Sequence, residues 1–133
     1  MFISIKEYFE KMITLGYVPS SMTIENAEQL LKQVNDFLTY VFKEKLLPTD
    51  YKIEMSSGWR PEAFNKKIGG APMSKHITGN AIDFSGVDLV KLAEKDVKLL
   101  EMFNLYAESS FDSKNHTHFQ NLPPKSNNRI FRA

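Results

Sequence analysis

The chain has no cysteine. That excludes disulfides, thiolate zinc sites and cysteine nucleophiles together, and it leaves any transition-metal site to histidine and carboxylate. Long apolar runs are missing too, and nothing approaches the roughly 20 apolar residues that span a bilayer. The opening "MFISIKEYFEKMITLGYVP" carries Lys6, Glu7, Glu10 and Lys11 where a signal peptide needs an unbroken apolar core, so no standard signal peptide is expected. An excess of one charge is also absent: 17 Lys and Arg face 16 Asp and Glu, for a formal net charge of +1. Such a chain has no global field for nucleic acid or a membrane surface. The local basic pairs, Lys66 with Lys67 and Arg129 with Arg132, have no interleaved aromatic stripe, and no nucleic-acid partner is expected. Function has to sit in a local site.

What is present is globular. The 133 residues are 42% hydrophobic and 25% charged, enough for one core without staples. "SIKEYFEKMITLG" places Ile5, Tyr8, Phe9, Met12 and Ile13 at helical spacing, with Ser4 and Glu7 as a capping box and Gly16 as a stop. "TIENAEQLLKQVNDFLTYVFKEKLL" predicts a long helix whose apolar stripe is Ala27, Leu30, Leu31, Val34, Phe37, Leu38, Val41 and Phe42. Its start is open between Thr23 with Asn26 and Ser21 with Ile24. "YKIEMSSGW" alternates as a strand does, "RPEAFNKKIGGAPM" reads as an irregular excursion, and "VDLVKLAEKDVKLLEMFNLYAE" as one or two short helices. "SFDSKNHTHFQ" reads as a turn entering a final strand, and "NLPPKSNNRIFRA" as a polar tail. The expectation is a single α+β domain over 1–133: helices in 1–50, a small antiparallel sheet with the site in 51–120, and the tail in 121–133.

Histidine is scarce, and its placement carries the argument. All three fall in two short segments: His76 in "SKHITGNAIDF", and His116 and His118 in "NHTHFQ". On a strand, residues two apart share a face, so His116 and His118 project together while Thr117 and Phe119 turn away. In the first segment Thr78, Gly79 and Asn80 carry turn chemistry, which folds His76 back beside a strand bearing Asp83. Asp83 lies between Ile82 and Phe84 and is expected to be half-buried, needing a partner. A metal ion would supply one; capping the turn or pairing with Lys75 is the other reading. Two histidines and one aspartate with an open fourth position form a catalytic rather than a structural zinc pattern. Such a site lowers the pKa of water toward 7 and polarises a carbonyl, which is hydrolytic chemistry.

The stretch "SSGWRPEAFNKKIGGAPMSKHITGNAIDFSG" resembles the zinc D-alanyl-D-alanine peptidases of the Hedgehog-like fold. The pattern shared is Ser57, Gly58, Trp59 and Arg60, then Ser74, His76, Gly79, Ala81 and Asp83, then a late histidine at His118. The resemblance covers most of 51–120, and the short form looks like phage and prophage members, which include endolysins. It implies one zinc ion held by His76, Asp83 and His118, with Arg60 holding the substrate carbonyl or carboxylate through its fixed fork of donors. Ser74 is implied to steady a neighbouring group or a ligand, and His116 to stabilise the oxyanion or carry a proton. Trp59 is expected in the core. Where many members have a carboxylate three residues before the last histidine, this chain has Asn115. Asp112 is then the nearest upstream carboxylate for the base and Glu108 the next.

The function implied is a zinc metallopeptidase, carboxypeptidase or endopeptidase, acting on peptidoglycan stem peptides. The alternative, which Asn115 favours, is a zinc-binding structural or wall-gripping module without efficient turnover. The partner expected is a peptidoglycan peptide met by a monomer, with no membrane partner. The chain would be cytoplasmic when made, or virion-associated, and released to reach the wall.

Overall fold

The computed structural model describes residues 1–133. Helix α1 (Ile5–Thr14) starts at Ser4, whose Oγ accepts the Glu7 N–H at 3.1 Å, and it buries Tyr8, Phe9 and Met12. Helix α2 (Ser21–Lys43) is capped by neither expected pair: Ser20 accepts the Thr23 N–H at 3.1 Å. Its stripe from Ala27 to Val41 is buried at every apolar position expected, and Phe42 is partly buried against the same core. Each such leucine, valine or phenylalanine contributes about 1.5–3 kcal/mol on leaving water. This stripe therefore anchors the molecule.

Five strands follow: β1 (Met55–Ser57), β2 (Ala81–Ser85), β3 (Tyr106–Glu108), β4 (His116–Gln120) and β5 (Ile130–Phe131), in the spatial order β1-β2-β4-β3-β5. Helices α3 (Glu62–Lys67), α4 (Asp88–Lys95) and α5 (Lys98–Phe103) lie between them. The sheet is mixed rather than antiparallel. β1, β2, β4 and β3 pair antiparallel, but residues 121–129 carry the chain round so that β5 joins β3 in parallel, Glu108 beside Phe131. The expected polar tail thus contributes an edge strand.

Strand alternation divides the sheet into two faces. Ile82, Phe84, Thr117 and Phe119 are buried on one, where Phe119 meets Phe37 of α2 edge-on at 5.1 Å and Phe84 at 6.2 Å. Thr117 ties α4 to this face, its Oγ1 accepting the Val90 N–H at 3.2 Å and donating to Gly86 O at 3.0 Å. Asp83, His116, His118 and Gln120 occupy the other face. The core face holds the strands rigidly, and the second face inherits that rigidity.

Candidate metal centre

His76 sits in the turn before β2 and is fastened from several sides. The Ser74 Oγ accepts its backbone N–H at 3.2 Å, its carbonyl accepts the Arg60 N–H at 3.2 Å, and the Trp59 indole donates to Ile77 O at 3.0 Å. Trp59 is buried against Phe9, as expected of a core aromatic. Asn26 of α2 donates to Thr78 O at 2.9 Å, and the buried Tyr8 hydroxyl donates to Ala81 O at 2.6 Å. Gly79 has φ +80°, and a Cβ there would lie 2.6 Å from Thr23 O, so the turn packs flush on α2 only with glycine. The turn that bears His76 is a fixed part of the fold.

The register of β2 and β4 sets Asp83 directly opposite His118. Asp83 Oδ1 lies 2.9 Å from His118 Nδ1 and 3.2 Å from His76 Nε2, with side-chain exposures of 1% for His76, 12% for His118 and 14% for Asp83. The three donor atoms lie within 4.8 Å of one another, a group that could hold a metal ion.

The chemistry of this donor set fits a cation. His76 Nδ1 lies 2.7 Å from Gly58 O, which can only accept, so Nδ1 carries the proton and Nε2 presents a lone pair. That lone pair faces the Asp83 oxygen and has no hydrogen-bond partner although it is buried. Two acceptors turned on each other in a buried site repel unless a positive charge lies between them. In a tetrahedral zinc site, metal–ligand bonds near 2.0–2.1 Å separate neighbouring donor atoms by about 3.3 Å. The observed separations of 2.9 and 3.2 Å are close to that.

The three groups also perturb one another's protonation. Burial pushes the His76 imidazole down, with Asp83 only partly offsetting it. For Asp83, burial alone would raise the carboxyl, but the hydrogen bond to His118 and the nearness of His76 outweigh it and hold the group far below the usual carboxylate range. For His118, burial lowers, yet Asp83 raises more, and the imidazole holds its proton above its ordinary value. A proton shared between His118 and Asp83 partly neutralises the cluster when no ion does.

Arg60 and Ser74 come together, with Nη2 at 3.4 Å from Ser74 Oγ, while the buried Arg60 Nε has no partner. Arg60 lines a cavity of about 460 Å³ shared with Glu7, Tyr8, Lys11 and Ser57. A larger cavity of about 660 Å³, between the N-terminal residues and α2, contains none of the site residues. His116 shares the His118 face, opposite Ser85, and is half-buried. Asp112 lies in the turn before β4, where its Oδ2 accepts from Arg132 Nε at 2.9 Å and from the Ala133 N–H at 2.7 Å. The Ala133 N–H and Arg132 hold its carboxyl below the usual range. Asn115 is exposed.

Sequence reasoning did not reach Gln120 and Phe131, and it left Glu108 second to Asp112. One step beyond the Ala107–Phe119 pair, the β3–β4 ladder brings Glu108 alongside His118, and its charge helps to hold the His118 proton. Phe131 of β5 stands perpendicular to the His118 ring at 6.1 Å. Gln120 was legible by the same two-residue rule that joined His116 to His118. Phe131 carried no signal, because its place depends on the crossover of residues 121–129.

A sequence profile of the Peptidase M15 family matches residues 11–120, which include His76, Asp83 and His118. The chain belongs to that family. The family is one of metallopeptidases, so the chain is a peptidase by family and carries a His–Asp–His group able to bind a metal ion. No curated protein and no solved structure matches it.

Proposed function

We propose that the protein is a zinc-dependent peptidase that hydrolyses peptide bonds in the stem peptides of bacterial peptidoglycan, as a carboxypeptidase or an endopeptidase. The observation that carries this reading is the lone pair of His76 Nε2, buried without a partner against the Asp83 carboxylate beside His118. His76 Nε2, Asp83 Oδ1 and His118 Nδ1 hold the ion in this reading. A zinc ion bound there supplies Lewis-acid polarisation of the scissile carbonyl and a water acidic enough to attack near neutral pH.

The remaining work falls to side chains. Arg60 offers donors to a substrate carbonyl or carboxylate oxygen, and its unpartnered Nε supports that role. Ser74 keeps the guanidinium and the His76 backbone in register. His116, on the metal face but outside the ligand set, steadies the developing oxyanion or passes a proton to the leaving nitrogen. Asp112 is the carboxylate that takes the proton from water. The chain works as one domain over 1–133 and as a monomer, an endolysin-like form released to act on the wall. No helix of the protein is long and apolar enough to cross a membrane.

A second reading is a zinc-binding module that grips the wall without turnover. The exposed Asn115 and the engagement of Asp112 by Arg132 favour it. Elemental analysis followed by release of new termini from purified peptidoglycan, with and without chelator, separates the two. One zinc per chain with chelator-sensitive cleavage supports the peptidase. One zinc without cleavage on several wall types leaves the binding module, and no metal at all sinks both.

A further inference from the structure

Each imidazole of the site has two nitrogens, and only one can face an ion. For His76 the choice is made by the backbone carbonyl of Gly58. For His118 no carbonyl plays that part. Its Nε2 instead lies 2.9 Å from Gln120 Oε1, two residues along the same face of β4. A side-chain amide can present either oxygen or nitrogen, so this contact alone does not say which imidazole nitrogen is protonated.

The other end of the amide decides. Gln120 Nε2 lies 2.7 Å from Leu122 O, and a backbone carbonyl only accepts. The amide nitrogen is therefore committed to Leu122, and the oxygen must be the atom that meets His118. An amide oxygen accepts, so His118 Nε2 is its donor and carries a proton. Nδ1 is then the atom left to face Asp83, at 2.9 Å, in the position a ligand atom needs. Gln120 is only 5% exposed, so water does not compete for either bond.

We infer that Gln120 is a positioning residue that sets the tautomer of His118, directing Nδ1 to the metal through a relay that runs from Leu122 O to Gln120 to His118 Nε2. This rests on the ligand assignment proposed above. Partners of this kind fix ring orientation as well as proton position, and their loss lowers metal affinity by about 10–100-fold. Gln120→Leu keeps much of the buried volume and removes the acceptor, whereas Gln120→Glu keeps an acceptor for Nε2–H.

The test uses zinc chloride and the full chain. Zinc affinity is measured by competition with a chromophoric chelator, and the ¹⁵N shifts of the His118 ring are read in the zinc-loaded chain, where the ion takes the place of the proton between Nδ1 and Asp83. The expected wild-type signature is a protonated Nε2 and a zinc-bound Nδ1. In Gln120→Leu that preference is lost and affinity falls about 10–100-fold, while Gln120→Glu recovers most of the affinity. An unchanged tautomer and affinity in Gln120→Leu would overturn the inference, as would equal losses in both variants, which mark a packing role only. If Gln120→Leu does not fold, a wild-type ring protonated at Nδ1, or a Gln120→Glu variant with the leucine variant's expected loss, overturns it. If the wild-type chain binds no zinc, the ligand assignment fails, whereas zinc bound to a His118 ring protonated at Nδ1 overturns this inference alone.

Discussion

His118 and Asp112 are near neighbours in sequence, but they are held by different means. His118, with Asp83 and His76, is fixed by strand register and by buried hydrogen bonds whose donors and acceptors admit one arrangement. Asp112 and Asn115 lie on the turn leading into β4, where Asn115 is exposed and Asp112 is bonded to Arg132 and Ala133. A metal site demands three atoms at one point; the β2–β4 ladder supplies two, and the hydrogen-bonded turn before β2 supplies the third. Proton transfer demands only that a group reach the reacting atoms when substrate is present, and a turn suffices. In the site proposed above, the two halves would therefore differ in rigidity.

The comparison breaks most sharply at Asp83. Asp83→Ala should remove metal altogether, read as zinc per chain after dialysis, because it leaves two neutral imidazoles in a buried site. Retained stoichiometric zinc would show that the register does not build the site. On the turn, Asp112→Asn should keep the metal and lower turnover by about 10²–10⁴-fold, the range for a lost general base or acid. If zinc leaves with Asp112, the division between the two regions is wrong.

Acid should act on the rigid half. His118 holds its proton above the ordinary value, so metal uptake must displace that proton and weakens as pH falls through the raised pKa. Calorimetry in buffers of different ionisation enthalpy should detect the proton released at neutral pH. Without metal the sign for stability is opposite: the raised pKa contributes stability below about pH 6.5 that is lost as pH rises through it.

Smaller effects sharpen the contrast. A Cβ on Gly58 would lie 2.4 Å from Tyr8 O, so Gly58→Ala must separate α1 from the β1 segment. It should cost about 1–3 kcal/mol in chemical denaturation and weaken zinc binding by shifting the carbonyl that orients His76. The smallest change is expected from Asn115→Asp on the exposed turn: metal and melting temperature unchanged, with a modest rise in hydrolysis if the site is short of a base. A fall in zinc content there would mean that the turn is coupled to the ligands after all.

What could be read from sequence follows the same division. The α2 stripe and the pairing of His116 with His118 on one face depend only on local periodicity, and both appear in the structure. The fixed spacing of His76 and Asp83 pointed to one site because the turn between them is short. Other elements depended on distant contacts. α3 was hidden by the Gly and Pro that follow it, and β3 by a helical pattern that Asn104 interrupts at φ 53°. The strand at "YKIEMSSGW" shrinks to Met55–Ser57, and Gly58 just after it packs against Tyr8. β5 has no alternation to read and exists only because β3 offers it an edge.

That edge has a consequence for how the molecule behaves among its own copies. The sheet ends on one side in a three-residue strand with an irregular register and on the other in two residues. Neither offers the long, flat row of free amides that lets one sheet continue into the next. A peptidase with blunted margins can be concentrated without its sheets zipping together, and filaments should not form even when the metal is withdrawn.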